Sequence, residues 1–260
     1  MIDPSVKDFT LPMAAIEPLP NFRPRVLVTL IGFLCLIGLL FMPAGHSQAA
    51  VIVLDPGHGG NDSGTGRSSE FPEKQFTLAL AQKIASQLAA RHQVELTRTA
   101  DIQMAPADRA AVANHLRADL MISLHTAVAP FCTDRSVAVY YHYDERLSLP
   151  SGNSIQGNPA ELDANRPVWA KLQDRHQHRS QYLAATLKQA LENSATFDSV
   201  TVSGVPLVTL MGADLPAVLV EVGCIHPVGA SNPQTLKQQL NGYADSIANA
   251  IEMALPGLLQ

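Results

Sequence analysis

From Val51 onward short apolar runs alternate with amphipathic stretches, and that alternation leaves few folds open. "VIVL", "QVELT", "ADLMISLH" and "PAVLVEVG" are short, apolar and dotted with β-branched residues, which marks them as strands. Between them stand segments of helical period. In "PEKQFTLALAQKIASQLA" the residues Phe76, Leu80, Ile84 and Leu88 recur every four positions, behind a Pro72 that suits a first turn. "APADRAAVANHLR" is a short helix opened by Pro106, and "SQYLAATLKQALEN" is another. "SNPQTLKQQLNGYADSIANAIEMAL" forms the closing helix. Ser231 or Asn232 caps it, and Leu236, Leu240, Tyr243, Ile247 and Ile251 make its buried stripe. Strands separated by helices predict an α/β fold: a mostly parallel, twisted sheet flanked by helices on both faces, in a single domain over residues 51–260. "SVAVYYHY" is expected as a strand near an edge, and no internal repeat is visible.

The front of the chain is different. Arg23 and Arg25 precede "VLVTLIGFLCLIGLLFM", Val26 to Met42, a run without charge or polar face. It is long for a signal-peptide core and slightly short for a membrane span. Ser47 and Ala49 then offer a small-residue cleavage site. Residues 1–50 are therefore expected to be a signal peptide or a retained membrane anchor, with translation starting at Met1 or Met13. The basic flank stays in the cytoplasm and Val51 onward crosses to the periplasm or envelope, so membrane contact is confined to this segment.

Charge narrows the partners. The net charge is −5 over 260 residues, and removing residues 1–50 takes away Lys7, Arg23 and Arg25 with Asp3, Asp8 and Glu17, which leaves −5. That argues against nucleic acid, which needs a basic footprint. Cys35 lies in the apolar run; Cys132 and Cys224 remain, either paired in an oxidising compartment or as separate thiols. A polar insertion at about 144–180, rich in Pro, Gly and Asn, is too long for an ordinary connection. Inside it "VWAKLQDRHQ", with Trp169, suits a short helix.

The chemistry-bearing residues fall at strand ends. His58 follows the first strand inside "DPGHGG"; His125 ends "ADLMISLH"; Glu221 ends "PAVLVE"; Glu73 opens the helix after the His58 loop. Parallel strands point one way, so these residues are expected to converge on one rim, where open α/β sheets bind ligands. Two imidazoles and a carboxylate make a zinc set with one coordination position left for water. Glu73 suits the ligand role because a helix N-terminus favours an ionised carboxylate, with Glu70 as its rival on the looser loop. Glu221 finishes an apolar strand and needs a job or an arginine partner. Taken singly, His58 has a plainer reading as a turn residue. His142, His176 and His178 could also ligate metal, although the latter two lie in the polar insertion and are most simply solvated, and His92 and His115 sit on helix ends without a role.

In order, "LDPGHGGNDSG", "EK", "TRTAD", "ADRAAVAN", "ADLMISLHTA" and "LPAVLVEVG" resemble the zinc-dependent N-acetylmuramoyl-L-alanine amidases of the Amidase_3 type, over Val51 to about Leu255. The resemblance implies a cell-wall hydrolase cleaving the amide between N-acetylmuramic acid and the L-alanine of the peptidoglycan stem peptide. It implies His58, Glu73 and His125 as Zn2+ ligands and Glu221 as the catalytic carboxylate. It also implies, for the insertion, either partial shielding of the groove under control of a regulatory envelope protein or a loop that helps hold glycan. Arg98, Asp101, Arg109 and Asn114 match the pattern too and are expected to hold loops and helices together. The chain departs from the family in "CIHPVGASNP" after "VEVG", in lacking an arginine before the last strand, and in "SLHTAV". The alternatives are a zinc peptidase or deacylase on another envelope amide, and a silent wall-binding regulator.

Overall fold

A six-stranded sheet organises the chain. The computed structural model describes residues 49–65, 72–128, 133, 135–144, 168–225 and 233–260. The strands are β1 (Val51–Pro56), β2 (Gln93–Leu96), β3 (Leu120–Val128), β4 (Ser136–His142), β5 (Ser199–Val205) and β6 (Ala217–Ile225). The helices are α1 (Glu73–Leu88), α2 (Pro106–His115), α3 (Gln177–Glu192) and α4 (Pro233–Leu258). Strands β2, β1, β3 and β6 run parallel, whereas β4 is antiparallel to β6 and carries β5 parallel to itself. The expected mostly parallel α/β sheet is present. Residues 48–260 make one compact unit.

Connection geometry puts helices on both faces. The crossover β1-α1-β2 steps one way along the sheet and β2-α2-β3 steps back over β1. Right-handed crossovers in opposite directions leave their helices on opposite faces. The side chains agree. Ile52, Leu54, Ile122, Leu124, Val218, Val220 and Val222 pack with α1, α3 and α4 in one core, which includes Phe76, Leu80, Ile84, Leu88, Tyr243, Ile247 and Ile251. Val53, Met121, Ala217 and Leu219 face the other way, against Ala110 and Ala113 of α2 and Leu210, Ala213 and Leu215. Both predicted helical stripes are thus buried, each large apolar side chain contributing about 1.5–3 kcal/mol. Leu240 packs at the edge of the first core; the side chain of Leu236, the proposed caps Ser231 and Asn232, and Glu70 lie outside the described residues.

Three boundaries differ from expectation. β5 was not anticipated; it pairs along β4 and makes "SVAVYYHY" the strand next to the edge. Its exposure alternates, and glycine and serine dilute the apolar signal in "SVTVSGV". β3 runs past His125 to Val128 rather than stopping there. The last part of the supposed insertion also belongs to the folded body: Val168–Lys171 and Gln173–His176 form 3-10 turns, and α3 starts at Gln177. Gln173 is fully buried there, donating to the carbonyls of Ala213 and Leu215 at 2.9 and 2.7 Å. A lone buried glutamine in a polar stretch gave no periodic signal. The rest of the insertion lies outside the described residues, as does the apolar run Val26 to Met42. No described helix is long and apolar enough to cross a membrane.

Candidate functional site

On the α2 face the inward-pointing positions turn from apolar to polar along the strand direction. β1 changes from Val53 to Asp55, β3 from Met121 to Ser123 and His125, and β6 from Leu219 to Glu221. Asp55 is fully buried and accepts from Thr97 Oγ1 (2.6 Å), Ser123 Oγ (2.7 Å) and Arg109 Nη1 (2.7 Å). This network fixes the exit of β1. Beyond it, Arg109 also donates to the carbonyls of Pro56 and His58, each at 2.7 Å. Arg98 donates to the carbonyls of Pro56 (3.0 Å), Gly57 (2.8 Å) and Lys74 (2.7 Å). Asp101 takes Gly60 N–H at 2.7 Å and the Lys74 ammonium at 2.6 Å. Asn114 bridges Gly212 O and Asp214 N–H. All four act as the loop-holding residues that the sequence suggested.

The loop so held carries His58 at φ +60, a left-handed conformation that is uncommon for a residue with a side chain. Two glycines make room for it. A Cβ on Gly57 would stand 2.4 Å from His125 Cε1. Gly64, at φ +68, would place one 2.6 Å from both Glu73 Oε2 and His58 Cδ2.

His58, Glu73 and His125 meet. One ligand atom from each lies within 4.8 Å of the others, and among the described residues this is the one group of its kind. Glu73 sits between the imidazoles, with Oε2 3.2 Å from His58 Nε2 and Oε1 3.0 Å from His125 Nδ1. Its side chain is almost fully buried, at 1% exposure. Oε2 accepts from Thr65 N–H (2.7 Å) and Thr65 Oγ1 (2.8 Å), and Oε1 accepts from Thr126 N–H (3.0 Å). Burial alone would raise this carboxyl's pKa; the bonds from His125, His58, Thr126 and Thr65 outweigh it and hold the pKa far below the carboxylate range. Glu73 is therefore an anion poised between two imidazoles. The His58 imidazole is pushed above its ordinary pKa, first by Glu73 and, against burial, by Asp62.

Asp62 completes the His58 side of the group, although no sequence pattern marks it. Its Oδ2 is 2.8 Å from His58 Nδ1. A carboxylate only accepts, so Nδ1 carries a proton in this contact, which would leave Nε2 as the atom able to offer a lone pair to a cation held with Glu73 and His125. The available signal was position alone: Asp62 follows His58 by four residues on the same glycine-rich loop.

Glu221 stands beside this group. It lies in register with His125 across β3 and β6, and neighbouring strands run about 4.8 Å apart. In-register neighbours on parallel strands share a face, so both side chains leave the sheet on the α2 side. No arginine pairs with Glu221 among the described residues; Tyr140 Oη is 3.4 Å from its Oε2. Just past it β6 takes one residue more than β3 before Ala127 pairs with Cys224, a bulge of the kind that re-aims side chains near active sites. Cys224 is disulfide-bonded, and the Cys132 with which the sequence would pair it lies outside the described residues. Three other histidines have structural partners: His142 Nδ1 with Leu207, His176 with Asp214, and His92 with Ala50 and Glu252.

A family model described as N-acetylmuramoyl-L-alanine amidase, of the Amidase_3 type, matches residues 52–253. The chain belongs to this amidase family. The N-acetylmuramoyl-L-alanine amidase AmiC of Neisseria meningitidis is 27% identical over 201 residues, 72% of this chain and 47% of that protein. The chain spans less than half the length of the curated relatives it matches. Among solved structures, the catalytic domain of the amidase CwlV from Bacillus (Paenibacillus) polymyxa is 26% identical. It has a TM-score of 0.50 and covers 78% of this chain and 96% of that one. The CwlD amidase of Clostridioides difficile, solved in complex with the GerS lipoprotein, shares the fold. It is 19% identical, with a TM-score of 0.54 and coverage of 81% and 98%. His58, Glu73, His125 and Glu221 all fall within the matched residues 52–253.

Proposed function

We propose that this amidase-family chain is an exported, zinc-dependent hydrolase of the amide joining N-acetylmuramic acid to the L-alanine of the peptidoglycan stem peptide. The observation that carries the reading is the convergence of His58, Glu73 and His125 on the sheet face and at the strand end where Glu221 pairs in register with His125. The donor set fits the ion. Ligands about 2.1 Å from a tetrahedral zinc stand about 3.4 Å apart, close to the 3.2 and 3.0 Å between Glu73 and the two imidazoles. Two neutral imidazoles and one carboxylate would leave a dication with net positive charge. When bound there, zinc polarises the scissile carbonyl and acidifies a water.

The chain's own residues supply the rest. Asp62 fixes the His58 tautomer, Thr65 and Thr126 fix the Glu73 carboxylate, and the Arg98-Arg109-Asp55 network holds the loop against β3. Glu221 takes the proton of the attacking water and delivers it to the departing alanine nitrogen. An amide needs both services, because its carbonyl is a weak electrophile and its amine a poor leaving group.

Residues 1–50 are the export segment in this reading, cleaved or retained as an anchor, and residues 51–260 the catalytic domain. The complex of CwlD with a lipoprotein supports an envelope partner for this amidase as well. The test is digestion of purified sacculi with and without chelator, with products identified by mass. The reading predicts free stem peptides beginning at L-alanine, lost on chelation and restored by zinc. Cleavage within the stem peptide, or cleavage indifferent to metal, would overturn it.

A further inference from the structure

A glutamate serves as a base only if its carboxylate keeps one orientation, and a side chain with three rotatable bonds does not do that unaided. The sheet supplies a restraint. β4 is antiparallel to β6, with Ala138 opposite Glu221 and Tyr140 opposite Leu219. Two residues along a strand from Ala138, Tyr140 presents its ring on the face Glu221 occupies. It packs at the margin of the second core, paired across the strands with Leu219. Its hydroxyl reaches Glu221 Oε2 at 3.4 Å, the one hydrogen bond to that carboxylate among the described residues. The separation is long for an O–H···O bond, and bonds of this kind tighten in the Michaelis complex. Burial first, and the Glu221 charge second, hold the Tyr140 hydroxyl above its ordinary pKa, so it stays protonated and donates.

We propose that Tyr140 is a positioning residue for the hydrolysis: its hydroxyl anchors Oε2 of Glu221, which leaves Oε1 to meet the attacking water and then the leaving nitrogen. The proposal rests on the amidase reading above. Tyrosine suits the task because its ring swings on only two torsions and is gripped by packing, so it transmits the rigidity of β4 to a flexible neighbour. The placement also gives the antiparallel β4 a part in the chemistry, although every other site residue comes from β1, β3, β6 or α1 and their loops.

The test is Tyr140→Phe in the full-length, zinc-loaded protein, assayed for kcat and KM on a soluble muramyl peptide. Zinc stoichiometry and melting temperature are measured alongside. Phenylalanine fills the same volume and removes one oxygen. The proposal predicts a kcat lower by about tenfold, with KM within about twofold and zinc content unchanged. An unchanged kcat would overturn it. So would a rise in KM alone, which would make the hydroxyl a substrate contact, or a loss of zinc or fold, which would make it structural. If the unmodified protein cleaves and the variant matches it, only this proposal fails. If the unmodified protein does not cleave, the amidase reading itself fails.

Discussion

In the proposed mechanism some side chains hold and others react, and single substitutions separate the two. Glu221→Gln keeps shape and removes the proton acceptor. It is expected to bind zinc at unchanged stoichiometry while kcat falls by about 10²–10⁴-fold. Loss of zinc in that variant would show Glu221 to be a ligand instead. Asp62→Asn leaves the loop intact but weakens the acceptor on His58 Nδ1. Zinc affinity measured by competition with a chromogenic chelator should fall by about 10–100-fold, with activity recovered at excess zinc. An affinity equal to that of the unmodified protein would assign Asp62 to the loop alone. At this scale the sequence makes placement legible where a polar residue ends an apolar run, as with His125 and Glu221, which pair in register on one face. It was silent about Asp62, Thr65, Thr126 and Tyr140, because supporting residues act through distances that only the folded chain sets.

Strands and helices were legible where burial imposes a period. The stripes of α1 and α4 are buried as the spacing implied, since a misplaced Leu80 or Ile247 would lose its core. β5 escaped notice because one of its faces is exposed and its period is weak. The element that matters most to the site is the loop leaving β1, and it is held by buried charge. Arg109 and Asp55 are paired at 2.7 Å with side-chain exposures of 6% and 0%. Arg109→Met strands that carboxylate and takes donors from two loop carbonyls. Unfolding by urea should show a loss of about 3–5 kcal/mol, as for other broken buried pairs. A loss below about 1 kcal/mol would mean that Thr97 and Ser123 satisfy Asp55 alone.

Across the whole molecule, the sheet's two sides divide the labour. One face packs against α1, α3 and α4 and supplies most of the core; the other packs against α2 and Leu210, Ala213 and Leu215, and carries the candidate site at the carboxyl ends of its strands. The ends of the body are tied together near the first face. His92, just past α1, accepts Ala50 N–H at 3.2 Å and meets Glu252 of α4 at 3.1 Å, and Arg91 reaches the same carboxylate at 2.7 Å. Burial would raise the Glu252 pKa, but the bonds from His92 and Arg91 hold it below the ordinary range. A depressed acid contributes stability above its unfolded pKa, about 4.3, and loses it as pH falls through the folded value. The gap in melting temperature between the unmodified protein and Glu252→Gln should therefore be steady above about pH 5 and close below about pH 4. A gap that persists in acid would trace the effect to packing.

The proposed chemistry needs one ion held by three side chains next to one base. Diffraction at the zinc absorption edge, from crystals of the zinc-loaded protein, reads that directly. The expected result is a single anomalous peak bonded to His58, Glu73 and His125, with the Glu221 carboxylate one water away. A peak elsewhere, or a Glu221 side chain turned from the ion, would contradict it.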